Sequence, residues 1–128
     1  MIATTKEIRE RPDVTLKCFR GAVNPRTQEE FDVLMQVYEF VGWRWSGSWD
    51  KPTANKEYWE KHREETCVDT GIDWEYKEWR EFGYGEISLY ENNGITPLLP
   101  NEFYKLNKID SEQRRRIGVY LRSLEKAA

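Results

Sequence analysis

The segment Thr27-Gln28-Glu29-Glu30-Phe31 constrains the fold most strongly, because it carries the signature of a helix start. A Thr hydroxyl at the N-cap can accept from one exposed amide, while a Glu three residues later accepts from another. Apolar residues then recur at helical spacing, and Gly42 follows where a left-handed C-cap belongs. These apolar residues are Phe31, Leu34, Val37, Tyr38 and Val41. We therefore predict a helix over 27–41 with one apolar face.

A second capping pattern opens the C-terminal part of the chain. Asp110 and Gln113 have capping-box spacing, and an amphipathic stripe follows them. The stripe consists of Ile117, Tyr120, Leu121 and Leu124. We predict a C-terminal helix over 110–125. Two interpretations of its stripe remain open at this point: packing against the core of the domain, or contact with a second copy in a homo-oligomer.

Several short segments have the pattern of strands. Residues 14–19 alternate apolar and polar side chains, and residues 43–47 place two indoles on one side of an extended segment. Residues 65–69 and 87–90 are also predicted strands, the latter followed by a tight turn at Asn93-Gly94. The order of elements predicts an α+β fold, with a small antiparallel sheet packed by the two helices.

The chain of 128 residues has room for one domain. Residues 1–12 are polar and end at a proline, so we expect a mobile N-terminal arm followed by a single α+β domain over 13–128. The 20 basic and 23 acidic residues nearly cancel to a net charge of -3, which makes nucleic acid an unlikely partner. No apolar run is long enough for a signal peptide or a membrane span. We expect a cytoplasmic protein without membrane partners, in which Cys18 and Cys67 are free, buried thiols.

The sequence offers little that points to catalysis. His62 lies five residues before Cys67, but its segment is highly charged, whereas the cysteine lies in an apolar-flanked strand. A solvated histidine and a buried thiol are therefore favoured over an activated nucleophile. The acidic pairs are expected in a chain with 23 acids, and Cys-x-x-Cys spacing is absent. We expect a protein that is not an enzyme and that uses no cofactor or metal.

Aromatic residues are unusually frequent, with six Trp among 128 residues. Trp43 and Trp45 allow two interpretations: core beneath the first helix, or a stacking platform for a base or a partner side chain. We favour core for at least one of them. Trp49 follows Ser48 and precedes Asp50, which predicts an exposed loop position. With Arg44 and Lys51 beside it, Trp49 is the leading binding candidate.

Three consecutive arginines, 114–116, lie near the start of the last predicted helix. They span most of a helical turn, so they do not form one stripe. A solvated face is the first interpretation. The functional interpretation is a phosphate-binding patch, with Arg115 as its candidate residue.

From Thr27 to Phe103 the chain resembles a family of small phage-encoded domains. Their pattern is a T-x-E-E-F helix, a G-[YW]-x-W-x-S-G strand, a K-P-T segment and an E-E-T-C-[IV] strand. The corresponding residues here are 27–31, 42–47, 51–53 and 64–68, with Asn101-Glu102-Phe103 closing the series. The chain departs from the pattern in having an extra Trp49 after the Ser-Gly pair and a helix from residue 110 onward.

This resemblance implies a phage or prophage accessory protein that acts in the bacterial cytoplasm on host machinery or host immunity. Two hypotheses follow. The first is a protein-binding inhibitor or modulator of a host protein, which docks an aromatic surface onto its target. The second is a sequestering protein for a nucleotide immune signal, with Trp and Arg side chains lining the pocket. The absence of a phosphate loop or of a convergent basic cluster favours the first, whereas the density of Trp and Arg over residues 43–51 supports the second.

Overall fold

The structure is a computed structural model that describes residues 11–14, 22–69 and 81–127. The predicted strand over 14–19, apart from Val14, lies outside these ranges, as does Cys18. The last two residues of the predicted arm contact the domain. The Arg11 guanidinium donates to the Phe40 carbonyl at 2.9 Å and lies 4.2 Å from the centre of the Phe40 ring. Pro12 is buried.

Five helices and four strands are present in the described ranges. The strands are β1 (Ala22–Val23), β2 (Arg44–Trp45), β3 (Thr66–Asp69) and β4 (Glu81–Glu86). The helices are α1 (Gln28–Phe40), α2 (Glu57–His62), α3 (Ile87–Glu91), α4 (Pro100–Leu106) and α5 (Ser111–Ala127). Short 3-10 turns occur at Pro52–Ala54 and Arg63–Glu65. No helix in this part of the chain is long and apolar enough to cross a bilayer.

The four strands form one sheet in the order β1-β3-β4-β2. Strand β3 pairs antiparallel with both β1 and β4, with Val68 opposite Val23 on one side and opposite Tyr84 on the other. Strand β2 joins β4 in parallel, with Trp45 opposite Phe82. The predicted α+β class is confirmed, but the sheet is mixed and not wholly antiparallel as predicted, because the long connection through α2 and β3 lets β2 run parallel to β4.

Helix α1 forms where the capping pattern predicted it. The Thr27 hydroxyl accepts from the Glu30 amide at 3.1 Å. The Glu30 carboxylate accepts from the Arg26 amide at 2.8 Å, one residue earlier than in a standard capping box. The helix ends at Phe40, and Gly42, the residue after the C-cap Val41, has a φ of 93°, a left-handed value that glycine adopts without steric cost.

The predicted C-terminal helix is also present. Asp110 and Gln113 exchange reciprocal hydrogen bonds of 2.8 and 2.9 Å, which completes its capping box. Ile117 is fully buried, and Tyr120 packs edge-on against Phe40 with ring centres 5.8 Å apart. Most of the apolar stripe therefore packs against α1, while Leu124 remains 50% exposed.

The predicted strand over 87–90 is wrong, since these residues form α3. The helix folds back onto β4, and Tyr90 packs against Gly85. A Cβ on Gly85 would lie 2.9 Å from the end of the Leu89 side chain and 3.0 Å from the Tyr90 ring, so a larger residue would require these side chains to shift. The turn at Asn93-Gly94 is present, but it ends a helix rather than joining two strands.

Candidate binding surface

Trp49 lies on a short loop closed by its own hydrogen bonds. The Trp49 amide donates to the Trp45 carbonyl at 2.9 Å, and the Trp45 amide donates to the Asp50 carbonyl at 3.0 Å. The Asp50 amide in turn donates to the Ser48 hydroxyl at 3.3 Å. Gly47, with φ of 90°, supplies one left-handed turn position. We call residues 46–50 the Trp49 loop.

The backbone of Trp49 is itself left-handed, with φ of 63°. Residues other than Gly, Asn and Asp seldom adopt this backbone conformation, which costs them about 1–2 kcal/mol. Its indole is 53% exposed, so burial of the side chain does little to offset this cost. The hydrogen bonds of the loop therefore maintain the strained backbone of Trp49, and its side chain is exposed to solvent.

The segment after the loop is anchored to α1. The Thr53 hydroxyl and amide both donate to one Glu39 carboxylate oxygen, at 2.7 and 3.2 Å. Pro52 is buried, and the Asn55 side-chain amide donates to the Asp50 carboxylate at 3.2 Å. The K-P-T motif therefore fixes the C-terminal side of the Trp49 loop to the body of the domain.

A row of aromatic rings leads from the core to the surface beside this loop. Trp45 lies 4.2 Å from Phe82 and 4.9 Å from Tyr58, measured between ring centres. Tyr58 stacks on Tyr84 at 3.6 Å, and Tyr84 is 41% exposed. We call Phe82, Trp45, Tyr58 and Tyr84 the aromatic row.

The electrostatics of Tyr58 relate the row to the loop. Partial burial raises the pKa of Tyr58, and Tyr84, Glu57 and Asp50 raise it further. The geometric link is a backbone hydrogen bond: the Ser46 amide donates to the Phe82 carbonyl at 2.8 Å. The Trp49 loop therefore borders β4, the strand that carries Tyr84 two residues after Phe82.

Trp43 and Trp45 differ from Trp49 in exposure, although all three are binding candidates in the sequence. Trp43 and Trp45 are 2% and 1% exposed, so the interpretation of this pair as a stacking platform is wrong. The Trp45 indole N–H is buried and has no hydrogen-bond partner among the described residues. Arg44 donates to the Trp43 carbonyl at 3.0 Å and is half-buried, whereas Lys51 is exposed next to the Trp49 loop.

Arg115 is engaged on the surface of α5. Its guanidinium donates twice to the Glu112 carboxylate, at 2.7 and 3.0 Å, and these hydrogen bonds lower the pKa of Glu112. Exposed pairs of this kind contribute little to stability. The neighbouring Arg114 points elsewhere: it stacks over the Tyr104 ring at 4.4 Å and donates to the Ile109 carbonyl at 3.0 Å.

Arg114 lines an open pocket of about 450 Å³ between α4 and α5, which we call the corner pocket. Its other lining residues are Asn101, Tyr104, Lys105, Lys108, Ile109 and Asp110. The expectation that the chain has no convergent basic cluster is wrong. Lys105, Lys108 and Arg114 are separated in the sequence and meet here because the chain turns sharply at residues 107–110.

Cys67 and His62 do not form a catalytic pair. His62 contacts Glu86, with its Nδ1 3.2 Å from a carboxylate oxygen. Cys67 is a free, fully buried thiol, as predicted, and burial raises its pKa to about 12. In the described ranges, no three His, Cys, Asp or Glu side chains are grouped so that they could hold a metal ion.

No protein-family model, curated protein or solved structure matches this chain. The candidate binding surface is therefore defined by geometry alone: the Trp49 loop together with the exposed end of the aromatic row.

Proposed function

We propose that this protein is a non-enzymatic binding domain that docks the Trp49 loop onto a partner protein and thereby inhibits or modulates it. The observation that carries the proposal is the Trp49 indole. It is 53% exposed on a hydrogen-bonded loop, at a backbone conformation that disfavours any bulky residue.

The energetics of binding favour such a residue as an anchor. Tryptophan is enriched among the few interface residues that carry most of the binding free energy, because it buries a large area with only two side-chain torsions. A loop already fixed at Trp45, Asp50 and Thr53 loses little further conformational entropy when it binds. The binding free energy gained when the indole is buried in the complex then offsets the cost of the strained Trp49 backbone.

The surroundings of Trp49 suit a protein interface. Tyr84 adds a second exposed aromatic side chain, and charged groups of both signs lie along the same segments, among them Asp50, Lys51 and Glu86. An aromatic centre with a polar rim is the usual composition of a specific, reversible protein contact.

The cellular setting of the proposal comes from the resemblance to phage-encoded domains. On that basis we propose that the partner is a bacterial host protein in the cytoplasm, a component of immunity or regulation, and that the activity is counter-defence. Trp49 is one of the positions at which this chain departs from the family pattern. A contact specific to this protein's own target is expected there.

The alternative, a nucleotide-sequestering protein with Trp43, Arg44 and Trp49 as pocket walls, has less support. Trp43 is 2% exposed and Arg44 is bonded to a backbone carbonyl, so two of the three walls do not face a common cavity. A homo-oligomer through α5 is likewise weakened, because Ile117, Tyr120 and Leu121 pack against the core of the same chain.

The proposal is tested by affinity capture from bacterial lysate with three baits: the wild-type protein, Trp49→Ala and Leu124→Ala. Leu124 is a matched control, since it is an exposed apolar residue outside the candidate surface. We expect one host protein to be retained near one-to-one stoichiometry by the wild type and Leu124→Ala, and to be lost with Trp49→Ala. Equal retention by all three baits would contradict the proposal.

A further inference from the structure

We propose that the corner pocket between α4 and α5 binds the phosphate group of a small phosphorylated molecule. This inference concerns a different part of the surface from the Trp49 loop and does not depend on it. Three cationic side chains line the pocket, against a single carboxylate.

The two lysines of the pocket are exposed. Neither Lys105 nor Lys108 forms an ion pair with any residue in the described part of the chain. Some basic side chains elsewhere do have an acidic partner, such as Lys56 with Asp32 at 3.2 Å and Arg115 with Glu112 at 2.7 Å. The corner pocket therefore concentrates uncompensated positive charge.

Arg114 supplies a fixed donor group. One of its terminal nitrogens donates to the Ile109 carbonyl at 3.0 Å, and its guanidinium carbon lies over the Tyr104 ring, 4.4 Å from the ring centre. These two contacts orient the side chain, and the remaining N–H groups have no partner among the described residues. A guanidinium held in this way is suited to two parallel hydrogen bonds to phosphate oxygens.

Lys108 is held at the pocket by a strained backbone. Its φ is 55°, and it occupies the position after the helix end that glycine normally takes. The Ile109 amide donates to the Tyr104 carbonyl at 2.9 Å and the Lys108 amide to the Lys105 carbonyl at 3.2 Å, which completes a Schellman motif. This turn directs the Lys108 side chain to the corner pocket in spite of the backbone strain.

Asp110 does not cancel this charge. Its carboxylate accepts from the Gln113 amide at 2.8 Å and caps the N-terminus of α5, so part of its charge is offset by the helix dipole. The pocket volume of about 450 Å³ is within the range of small-molecule sites and exceeds that of one phosphate ion. Tyr104 and Ile109 provide an apolar wall for the rest of the ligand.

The test is a titration of the ¹⁵N-labelled protein, followed by amide chemical shifts, with inorganic phosphate, ribose 5-phosphate and AMP at constant ionic strength. The wild type is compared with Arg114→Gln, Lys108→Gly and Asp110→Asn. Arg122→Gln is the matched control, because it removes the same charge two turns further along α5. Sodium chloride at equal ionic strength is the reference for non-specific screening.

We expect saturable shifts at residues 104–114 that chloride does not reproduce, with affinity lowered about tenfold or more by Arg114→Gln. Lys108→Gly should lower affinity while raising the melting temperature, a combination that a purely structural lysine would not give. Asp110→Asn should bind more tightly, and Arg122→Gln should match the wild type. Tighter binding of AMP than of phosphate would identify a nucleotide, and equal binding would identify the phosphate group alone as the ligand.

Shifts that do not saturate, or that chloride reproduces, would overturn the proposal. So would equal affinities for the wild type, Arg114→Gln and Lys108→Gly, since binding would then not involve the corner pocket.

Discussion

Lys108 and Gly42 occupy the same backbone position at the ends of two different helices. Each follows the last helical turn with a positive φ, 55° for Lys108 and 93° for Gly42. Each is followed by a residue whose amide donates back to the helix, Ile109 to Tyr104 and Trp43 to Tyr38, both at 2.9 Å. Glycine meets this geometry without strain, whereas lysine does not. The backbone at the C-terminal end of α4 is therefore strained at Lys108, whereas the backbone at the C-terminal end of α1 is unstrained at Gly42.

The first prediction concerns this difference. Lys108→Gly should raise the free energy of unfolding by about 1 kcal/mol, because the left-handed strain is relieved. Gly42→Ala should lower it by about 1–2 kcal/mol for the opposite reason. Urea denaturation followed by circular dichroism measures both. A loss of stability in Lys108→Gly would show that the lysine side chain stabilises the fold and would remove the strain argument.

The second prediction separates two nearby tryptophans. Trp49→Gly should leave the unfolding free energy unchanged or raise it, since the indole is exposed and its backbone is left-handed. Trp45→Ala should cost about 3–5 kcal/mol, because it empties a fully buried site packed against Phe82 and Tyr58. Thermal and urea unfolding of the two variants provide the comparison. Comparable losses in both would place the Trp49 indole in the core.

The third prediction tests the start of α5. Asp110→Ala should lower the unfolding free energy by about 1 kcal/mol, because the Gln113 amide loses its capping partner. Asp110→Asn should stay within a few tenths of a kcal/mol of the wild type, since asparagine caps equally well. Equal losses in the two variants would mean that the carboxylate charge, and not the capping hydrogen bond, stabilises the helix.

The fourth prediction is a dependence of stability on pH. Burial raises the pKa of Cys67 to about 12, whereas the thiol of an unfolded chain has a pKa of about 8.5. The contribution of the buried Cys67 thiol to the free energy of unfolding is fully present below pH about 8.5. It is lost as the pH rises towards 12, because only the unfolded state releases the thiol proton in that range. The difference in unfolding free energy between the wild type and Cys67→Ala should therefore shrink between pH 7 and pH 10.

The tyrosines are common to both proteins and cancel in that difference. A constant difference across this pH range would contradict the raised pKa. The same burial should protect Cys67 from thiol reagents at pH 8 until the protein unfolds.

Helices α1 and α5 could be predicted from the sequence because their signals are local. A capping residue, its partner three positions on and an apolar stripe lie within one short segment, as at Thr27 and Asp110. Helix α3 could not be predicted, since a four-residue segment with three apolar side chains fits a strand or a helix. The deciding contact, Tyr90 against Gly85, exists only in the folded protein.

The candidate surface was predictable to a similar extent. The exposure of Trp49 followed from its polar neighbours Ser48 and Asp50, whereas the burial of both Trp43 and Trp45 depends on how β2 joins β4. Lys108 gave no signal at all. A helix end of the Schellman type is recognised in a sequence by its glycine, and here that position holds lysine.

Site-specific photo-crosslinking shows directly whether the Trp49 loop contacts a partner protein. A benzophenone amino acid is placed at position 49 or, as a control, at position 124, and bacterial cells that express each protein are irradiated. We predict one discrete adduct between this chain and a host protein from position 49, and none from position 124. No adduct from position 49, or the same adduct from both positions, would contradict a binding site at Trp49.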